Sequence, residues 1–304
     1  MKKISIIGLG NVGSTVAYSL IERKLCEKIA LFDKKDGLSK AEVNDLMDGM
    51  VRRDGHVEVI EGRKKDLDDT DIIIFAPGDI KIIQENQDLM SELTYTKTCV
   101  EEWAEKIKKS KFRGIIIVVS NPCDVLSSYM QELTGFAKEK VIGTGTILDT
   151  ARMKNAVSKY LDVDPSSIDG YVLGEHGYSQ FVAWSQVNIA TKPIKELLDK
   201  KTITSIEKST KTMAFETISA KGYTSFGIAN ATAIMVETIF TDAKTVLPVS
   251  SYSKTDGCYI GHPAVLGASG VIRDFHISLN EEEEKKWQES VKTIKQANEK
   301  RSLA

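Results

Sequence analysis

Histidine is the side chain best suited to pass a proton near neutral pH, and the chain has four: His56, His176, His262 and His276. His176 stands in Gly174-Glu175-His176-Gly177, where flanking glycines allow a tight turn that leaves the imidazole accessible at a strand end. That setting suits general acid–base work, and it suits equally a histidine with a structural place in a turn. His56 follows Asp54-Gly55 in an expected loop, and His276 falls in an expected solvent-side strand; neither has comparable surroundings. Asp149 and Arg152 are three residues apart at the start of an expected helix and therefore share one face. They read as an i,i+3 ion pair, or as a carboxylate and a guanidinium offered together to a ligand. Asn121, in Ser120-Asn121-Pro122, follows an apolar run whose carboxyl end is where open parallel sheets bind ligands. Its plainer reading is a turn former before proline.

A second chemistry is written near the N-terminus. Gly8, Gly10 and Gly13, with Asn11 and Val12 between them, spell GLGNVG directly after an apolar run and at the mouth of a helical pattern. Alone the string is weak. In context it is strong, because a second apolar run ends at Phe32 and is followed by Asp33, 20 residues after Gly13. Glycines let the backbone turn and approach a pyrophosphate, whose charge then faces helix N-terminal amides. Asp33 is placed to accept hydrogen bonds from ribose hydroxyls and to repel a 2′-phosphate. This favours NAD over NADP, although Lys34 and Lys35 weaken the exclusion.

The elements that would position these groups follow from periodicity. Ile- and Val-rich runs at Lys3–Ile7, Lys28–Phe32, Val57–Ile60, Asp71–Phe75, Ile115–Val119 and Val141–Gly143 read as strands buried on both faces. Helical patterns over Val12–Lys24, Leu38–Met50, Ser91–Lys109 and Val125–Leu133 separate them. The alternation predicts an α/β fold with a doubly wound parallel sheet, a dinucleotide-binding domain over residues 1–145. After Gly145 the order is mixed: helices at Leu148–Tyr160, Pro193–Lys221 and Thr224–Phe240, and a hairpin of Val246–Ser253 with Cys258–Leu266. Residues 146–304 are therefore expected to form an α+β substrate domain. Asn280 precedes four glutamates as an N-cap, and the charge run of the closing helix reads as a solvated face.

Composition removes several classes. The 304 residues carry a net charge of −2, 41% hydrophobic and 28% charged residues, which is ordinary for globular chains. Four scattered cysteines with no CxxC read as reduced thiols, not a disulfide frame or a zinc site. Cys123 beside Pro122 invites a nucleophile reading, but no histidine lies near it in sequence and a buried thiol is expected. Ile4–Ile21 has no charge and follows two lysines, like a secretory leader, yet its interior is the phosphate-binding pattern itself. No run reaches the ~20 apolar residues of a membrane span. The basic clusters lack aromatic interleaving, so no nucleic acid is expected, and a cytoplasmic location is.

Together these residues resemble the L-lactate/malate dehydrogenase superfamily, and within it the L-2-hydroxyisocaproate dehydrogenase branch. The similarity runs from Ile4 to about Leu266 and is densest at Ser120-Asn121-Pro122, VIGTGTILDTARM (141–153), LGEHGYSQFVAWS (173–185) and GYTSFG (222–227). It implies an NAD-dependent L-2-hydroxyacid dehydrogenase acting on a small 2-oxo or 2-hydroxy acid, as a homo-oligomer, dimer or tetramer. It implies further that His176 exchanges the proton, Asp149 orients it, Arg152 clamps the substrate carboxylate, and Asn121 and Thr224 orient nicotinamide and substrate. No metal is called for.

One segment departs from that pattern. The family's mobile loop carries an arginine that polarises the substrate carbonyl, whereas Gly78–Leu93, GDIKIIQENQDLMSEL, has none. Asn86 or Leu89 takes its place, and Lys81 is the only cation in the segment. Ile80 aligns with the residue that sets substrate choice; it offers neither the hydrogen bond that lactate enzymes use nor a charge for a second carboxylate. A longer aliphatic or aromatic 2-oxo acid is therefore expected. Two alternatives stand beside this: an L-lactate dehydrogenase with an atypical arginine-free loop, and an NAD-binding sensor or assembly protein whose catalysis has decayed.

Overall fold

A computed structural model describes residues 1–51, 55–275 and 277–303; Asp54 and His276 lie outside the described residues. The first half runs β1 (Lys3–Ile7), α1 (Asn11–Glu22), β2 (Lys28–Phe32), α2 (Leu38–Gly49), β3 (Glu58–Glu61), β4 (Ile72–Phe75), α3 (Ile80–Asn86), α4 (Leu93–Lys109), β5 (Ile115–Val118), α5 (Cys123–Thr134) and β6 (Val141–Gly143). The second runs α6 (Ile147–Leu161), β7 (Ile168–Asp169), β8 (Val172–Leu173), β9 (Phe181–Val182), β10 (Asn188–Ile189), β11 (Lys192–Pro193), α7 (Ile194–Leu197), α8 (Lys200–Lys221), α9 (Phe226–Thr241), β12 (Thr245–Ser253), β13 (Cys258–Gly267), β14 (Gly270–Asp274) and α10 (Glu281–Leu303).

Strands β3-β2-β1-β4-β5-β6 pair in parallel, and their side chains divide between two cores because successive residues of a strand face opposite ways. Ile4, Ile6, Ile72 and Ile74 pack with Val16 and Leu20 of α1. Ile7, Ile73 and Phe75 pack with Val100 and Ile107 of α4 and Leu126 of α5. A strand such as IIIF, β4, is apolar at every position for this reason.

The hairpin of the second half does more than expected. β12 pairs antiparallel with β6, Ser250 opposite Gly143, so β12, β13 and β14 extend the parallel sheet to nine strands. Left alone, β6 would present an unpaired edge; a Cβ on Gly143 would come within 2.8 Å of the Ser250 Cβ, so glycine is what admits the hairpin. The smaller sheets are β11-β10-β7 and β8-β9.

Three other expectations are refined. The helix read across Pro193–Lys221 breaks at Leu198, which is extended, and α8 restarts behind Asp199, whose carboxylate accepts the Thr202 amide at 2.7 Å. The Asn280 side chain does cap α10, accepting the Glu282 and Glu283 amides at 3.1 and 3.0 Å. Glu283, however, is not part of a solvated face: it is buried, returns a bond to the Asn280 amide at 3.2 Å and takes the Ser185 amide at 2.8 Å. Among the described residues, no helix is long and apolar enough to cross a membrane.

Candidate active site

The carboxyl ends of the parallel strands open into one cleft of about 670 Å³, within the range of cofactor and small-molecule sites. At its nucleotide end α1 begins, and Gly8, Gly10, Asn11 and Val12 line the cleft wall. Gly13 lies behind them; a Cβ there would meet the Gly8 carbonyl oxygen at 1.9 Å, so only glycine lets the helix approach its strand. A Cβ on Gly10 would point into open space, the room a pyrophosphate needs against the first amides of α1. Asp33 closes this end. Its two oxygens accept the Leu9 amide at 2.7 Å and the Lys35 amide at 2.8 Å, each keeping a lone pair for a ribose hydroxyl. Lys34 is turned aside, its ammonium 4.5 Å from the centre of the Tyr95 ring.

At the other end, α6 and the turn after β8 bring together groups 27 residues apart. Asp149 is fully buried; its Oδ2 lies 2.6 Å from His176 Nδ1, and its Oδ1 accepts from Arg152 at 2.9 Å. The buried Gln180 amide, turned to face the same carboxylate, donates to both oxygens at 3.3 and 3.0 Å. Burial pulls the His176 imidazole toward its neutral form, but the Asp149 charge and hydrogen bond outweigh this, and its pKa ends above the ordinary histidine value. Burial likewise opposes the Asp149 charge, yet His176 and Arg152 hold its carboxyl below the usual carboxylate range. The arrangement supplies an imidazole that keeps its proton to higher pH than an ordinary histidine and a guanidinium edge beside it.

Asn121, Thr224 and Ile80 line the same cleft. Asn121 follows β5, its Oδ1 buried with no protein partner among the described residues while its carbonyl accepts from Thr96 at 2.8 Å. Such an orphaned acceptor is matched by a donor arriving with a ligand.

The segment 78–93 lies folded against the second half. It contains a short helix, α3, and a 3-10 turn over Leu89–Glu92 capped by Asp88. Gln84 donates to the Gly222 carbonyl at 2.8 Å, and the Tyr178 hydroxyl to the Gln87 carbonyl at 2.7 Å, while the Tyr178 ring stacks on Phe215. Ile80 opens α3 at the cleft wall, with Leu89, Phe215 and Ile218 also lining it. Lys81 is exposed and absent from the wall. Buried Glu92 takes the Asp79 amide at the base of the segment, and burial pushes its carboxyl up to about 7.

Residues 2–143 match the model of the lactate/malate dehydrogenase NAD binding domain, and residues 146–302 that of the lactate/malate dehydrogenase alpha/beta C-terminal domain. The chain belongs to the lactate/malate dehydrogenase family. It is 38% identical to L-lactate dehydrogenase 2 of Enterococcus faecalis and 35% to L-lactate dehydrogenase 1 of Bifidobacterium longum, over 97% of this chain and 96% of each relative. Its fold matches a lactate dehydrogenase from a Medee basin deep-sea metagenome library with a TM-score of 0.93 at 30% identity, covering 99% of both chains. As a lactate/malate dehydrogenase it is an NAD-dependent oxidoreductase acting on a CH–OH group, and the Gly10 opening, Asp33 and the orphaned Asn121 oxygen fit that dinucleotide.

Three residues of this dehydrogenase site escaped the sequence. Gln180 sits inside the LGEHGYSQ motif but carries no local sign that it faces Asp149. Glu92 reads as one more surface acid of a helix. Asp124 directly follows Cys123 at the start of α5, yet its carboxylate accepts the His176 amide at 2.9 Å across 52 residues of chain. Cys123 is buried as expected, and burial pushes its thiol up to about 12, which removes it as a nucleophile.

Proposed function

We propose that the protein is an NAD-dependent L-2-hydroxyacid dehydrogenase that prefers 2-oxo acids with a bulky apolar side chain, akin to the L-2-hydroxyisocaproate branch. The observation that carries this is one buried carboxylate, Asp149, holding His176 and Arg152 at a cleft whose facing wall begins with Ile80. Bound NADH supplies the hydride for the carbonyl carbon. His176, protonated, donates to the carbonyl oxygen; in oxidation it takes the hydroxyl proton back. Asp149 fixes the tautomer by occupying Nδ1, leaving Nε2 for substrate. Arg152 meets the substrate carboxylate with two N–H groups, and Asn121 and Thr224 orient nicotinamide and substrate.

Ile80, Leu89, Phe215 and Ile218 give the wall an apolar surface that rewards a branched or aromatic side chain at ~1 kcal/mol or more per buried methylene. With no cation from the loop at the cleft, turnover is slower than in an arginine-bearing relative by ~100-fold to 1000-fold, the worth of one transition-state donor. The subunit works as a homo-oligomer, dimer or tetramer, in the cytoplasm. A second reading, L-lactate dehydrogenase, is favoured by the names of the relatives alone.

A panel of 2-oxo acids with NADH, followed at the nicotinamide absorbance, separates the readings. Higher kcat/KM for 2-oxoisocaproate or phenylpyruvate than for pyruvate supports the proposal. Pyruvate preference installs the lactate reading, and tight NADH binding without turnover of any acid leaves a sensor.

A further inference from the structure

The turn that carries His176 is tied down around the histidine, at Gly174 by two backbone bonds to Gly261 and at Glu175 by Ser179. Gly174 sits at φ +95°, Gly177 follows the histidine, and Glu175 folds back onto the Ser179 amide at 3.1 Å. Asp149 holds the ring at Nδ1 but not the backbone beneath it. That backbone is gripped by Asp124, whose Oδ2 accepts the His176 amide at 2.9 Å. The other oxygen of Asp124 accepts from the Ser250 hydroxyl at 2.6 Å, and Ser250 is fully buried in β12 opposite Gly143.

We propose that Asp124 is a positioning residue for His176, anchoring the turn through the backbone amide while Ser250 fixes its carboxylate from the extended sheet. Two observations say that the charge matters as well as the shape. Both donors to Asp124 are neutral, and an asparagine would keep both contacts without the cost of a buried charge, its oxygen accepting the His176 N–H and its NH2 donating to the Ser250 hydroxyl. The site retains the acid, at the first turn of the 12-residue helix α5, where the helix dipole favours an anion. The charged groups around the imidazole are then Asp149, Asp124 and Glu175 against Arg152, and the net balance favours imidazolium. Burial raises the Asp124 carboxyl to about 6, so it is ionised at neutral pH and loses its charge in mild acid.

This role rests on His176 as the proton donor, and the experiment separates the two. The full-length protein is made as wild type, Asp124→Asn, Asp124→Ala, Ser250→Ala and His176→Asn, with histidine labelled at Cε1 for NMR. The His176→Asn spectrum identifies the His176 signal by its loss. Asp124→Ala should lower kcat by ~100-fold through misplacement of the imidazole, with NADH affinity kept. Ser250→Ala should fall between it and wild type. Asp124→Asn should retain more activity than Asp124→Ala, because the amide oxygen still accepts the His176 N–H, but its His176 titration should move to lower pH. If His176→Asn turns over normally, the donor assignment fails and the positioning role with it. If His176→Asn is inactive while Asp124→Ala and Ser250→Ala keep wild-type kcat/KM, the positioning role alone is overturned, and a wild-type rate and His176 titration in Asp124→Asn would remove the part played by the charge. Where Asp124→Ala does not fold, Ser250→Ala decides the anchoring, because it frees one side of the Asp124 carboxylate and leaves the acid in place.

Discussion

His176 Nδ1 stands 2.6 Å from Asp149, a carboxylate whose second oxygen is already engaged by Arg152. The proposed proton donor and the proposed substrate clamp therefore share one anion. A change to Asp149 should disturb both groups at once.

Replacing His176 with asparagine should lower kcat for 2-oxo acid reduction by ~100-fold to 10,000-fold, the range of a general acid, with NADH affinity unchanged. Fluorescence titration of NADH beside the rate assay checks both halves. Arg152→Leu should instead raise KM by ~10-fold to 100-fold, as expected for charge-assisted hydrogen bonds. An unchanged KM would remove the clamp.

The pH dependence has a defined sign. The His176 pKa is raised in the folded protein, so reduction should persist to higher pH than an ordinary histidine would allow and fall as pH rises through that raised value. Oxidation of the hydroxyacid needs neutral imidazole and should fall on the acid side. The same shift stabilises the fold fully below the ordinary histidine pKa, and this is lost as pH rises through the folded one. Asp149 acts oppositely: its depressed pKa stabilises above the unfolded value and is lost as pH falls through the folded value. Asp149→Asn should carry the alkaline limb of the reduction profile to lower pH; a profile that does not move would contradict the pairing.

Much of this was legible in the sequence, and the failures have a physical pattern. Strands such as Ile115–Val118 and the glycines of GLGNVG announce themselves because burial on both faces and close approach to a phosphate restrict local residue types. Asp149 and Arg152 declared their pairing because helical spacing is local. The i,i+3 ion pair forms, and both of its residues also line the cleft. What stayed hidden was made by long-range contact. Asp124 meets His176 across 52 residues, Glu283 meets Ser185 across 98, and β12 pairs with β6 although most of the second half separates them in the chain. No periodicity within a window of fifteen residues encodes those meetings.

Ile80→Gln should shift preference from branched 2-oxo acids toward pyruvate by ~10-fold or more in relative kcat/KM, because the apolar wall loses a contact and gains a donor. Ile80→Arg should raise activity on oxaloacetate, whose second carboxylate it could pair with. Equal acid profiles for wild type and both variants would show that Ile80 does not face the substrate.

Lys81→Ala should change kcat by less than about twofold, as for a surface substitution remote from the chemistry, since Lys81 is exposed and off the cleft wall. Tyr178→Phe should act differently. It removes the bond to the Gln87 carbonyl but keeps the ring on Phe215. Weakened closure of the segment should raise KM for the 2-oxo acid, and stopped-flow fluorescence should report faster NADH release.

The nine-stranded sheet also limits how such a chain can be rebuilt. Because β12–β14 complete a sheet begun by β1–β6, the segment that binds the dinucleotide is not a transplantable module ending at Gly145. A chimaera that exchanged residues 1–145 between relatives would join a foreign β6 to a resident hairpin, and the seam would run through Gly143, Ser250 and Asp124, one turn away from His176. Asp33 and Ile80 both lie in the first half and would move together, but they should keep their setting only if the hairpin travels with them. A lineage that recombines freely at this boundary should carry compensating changes on both sides of the β6–β12 seam.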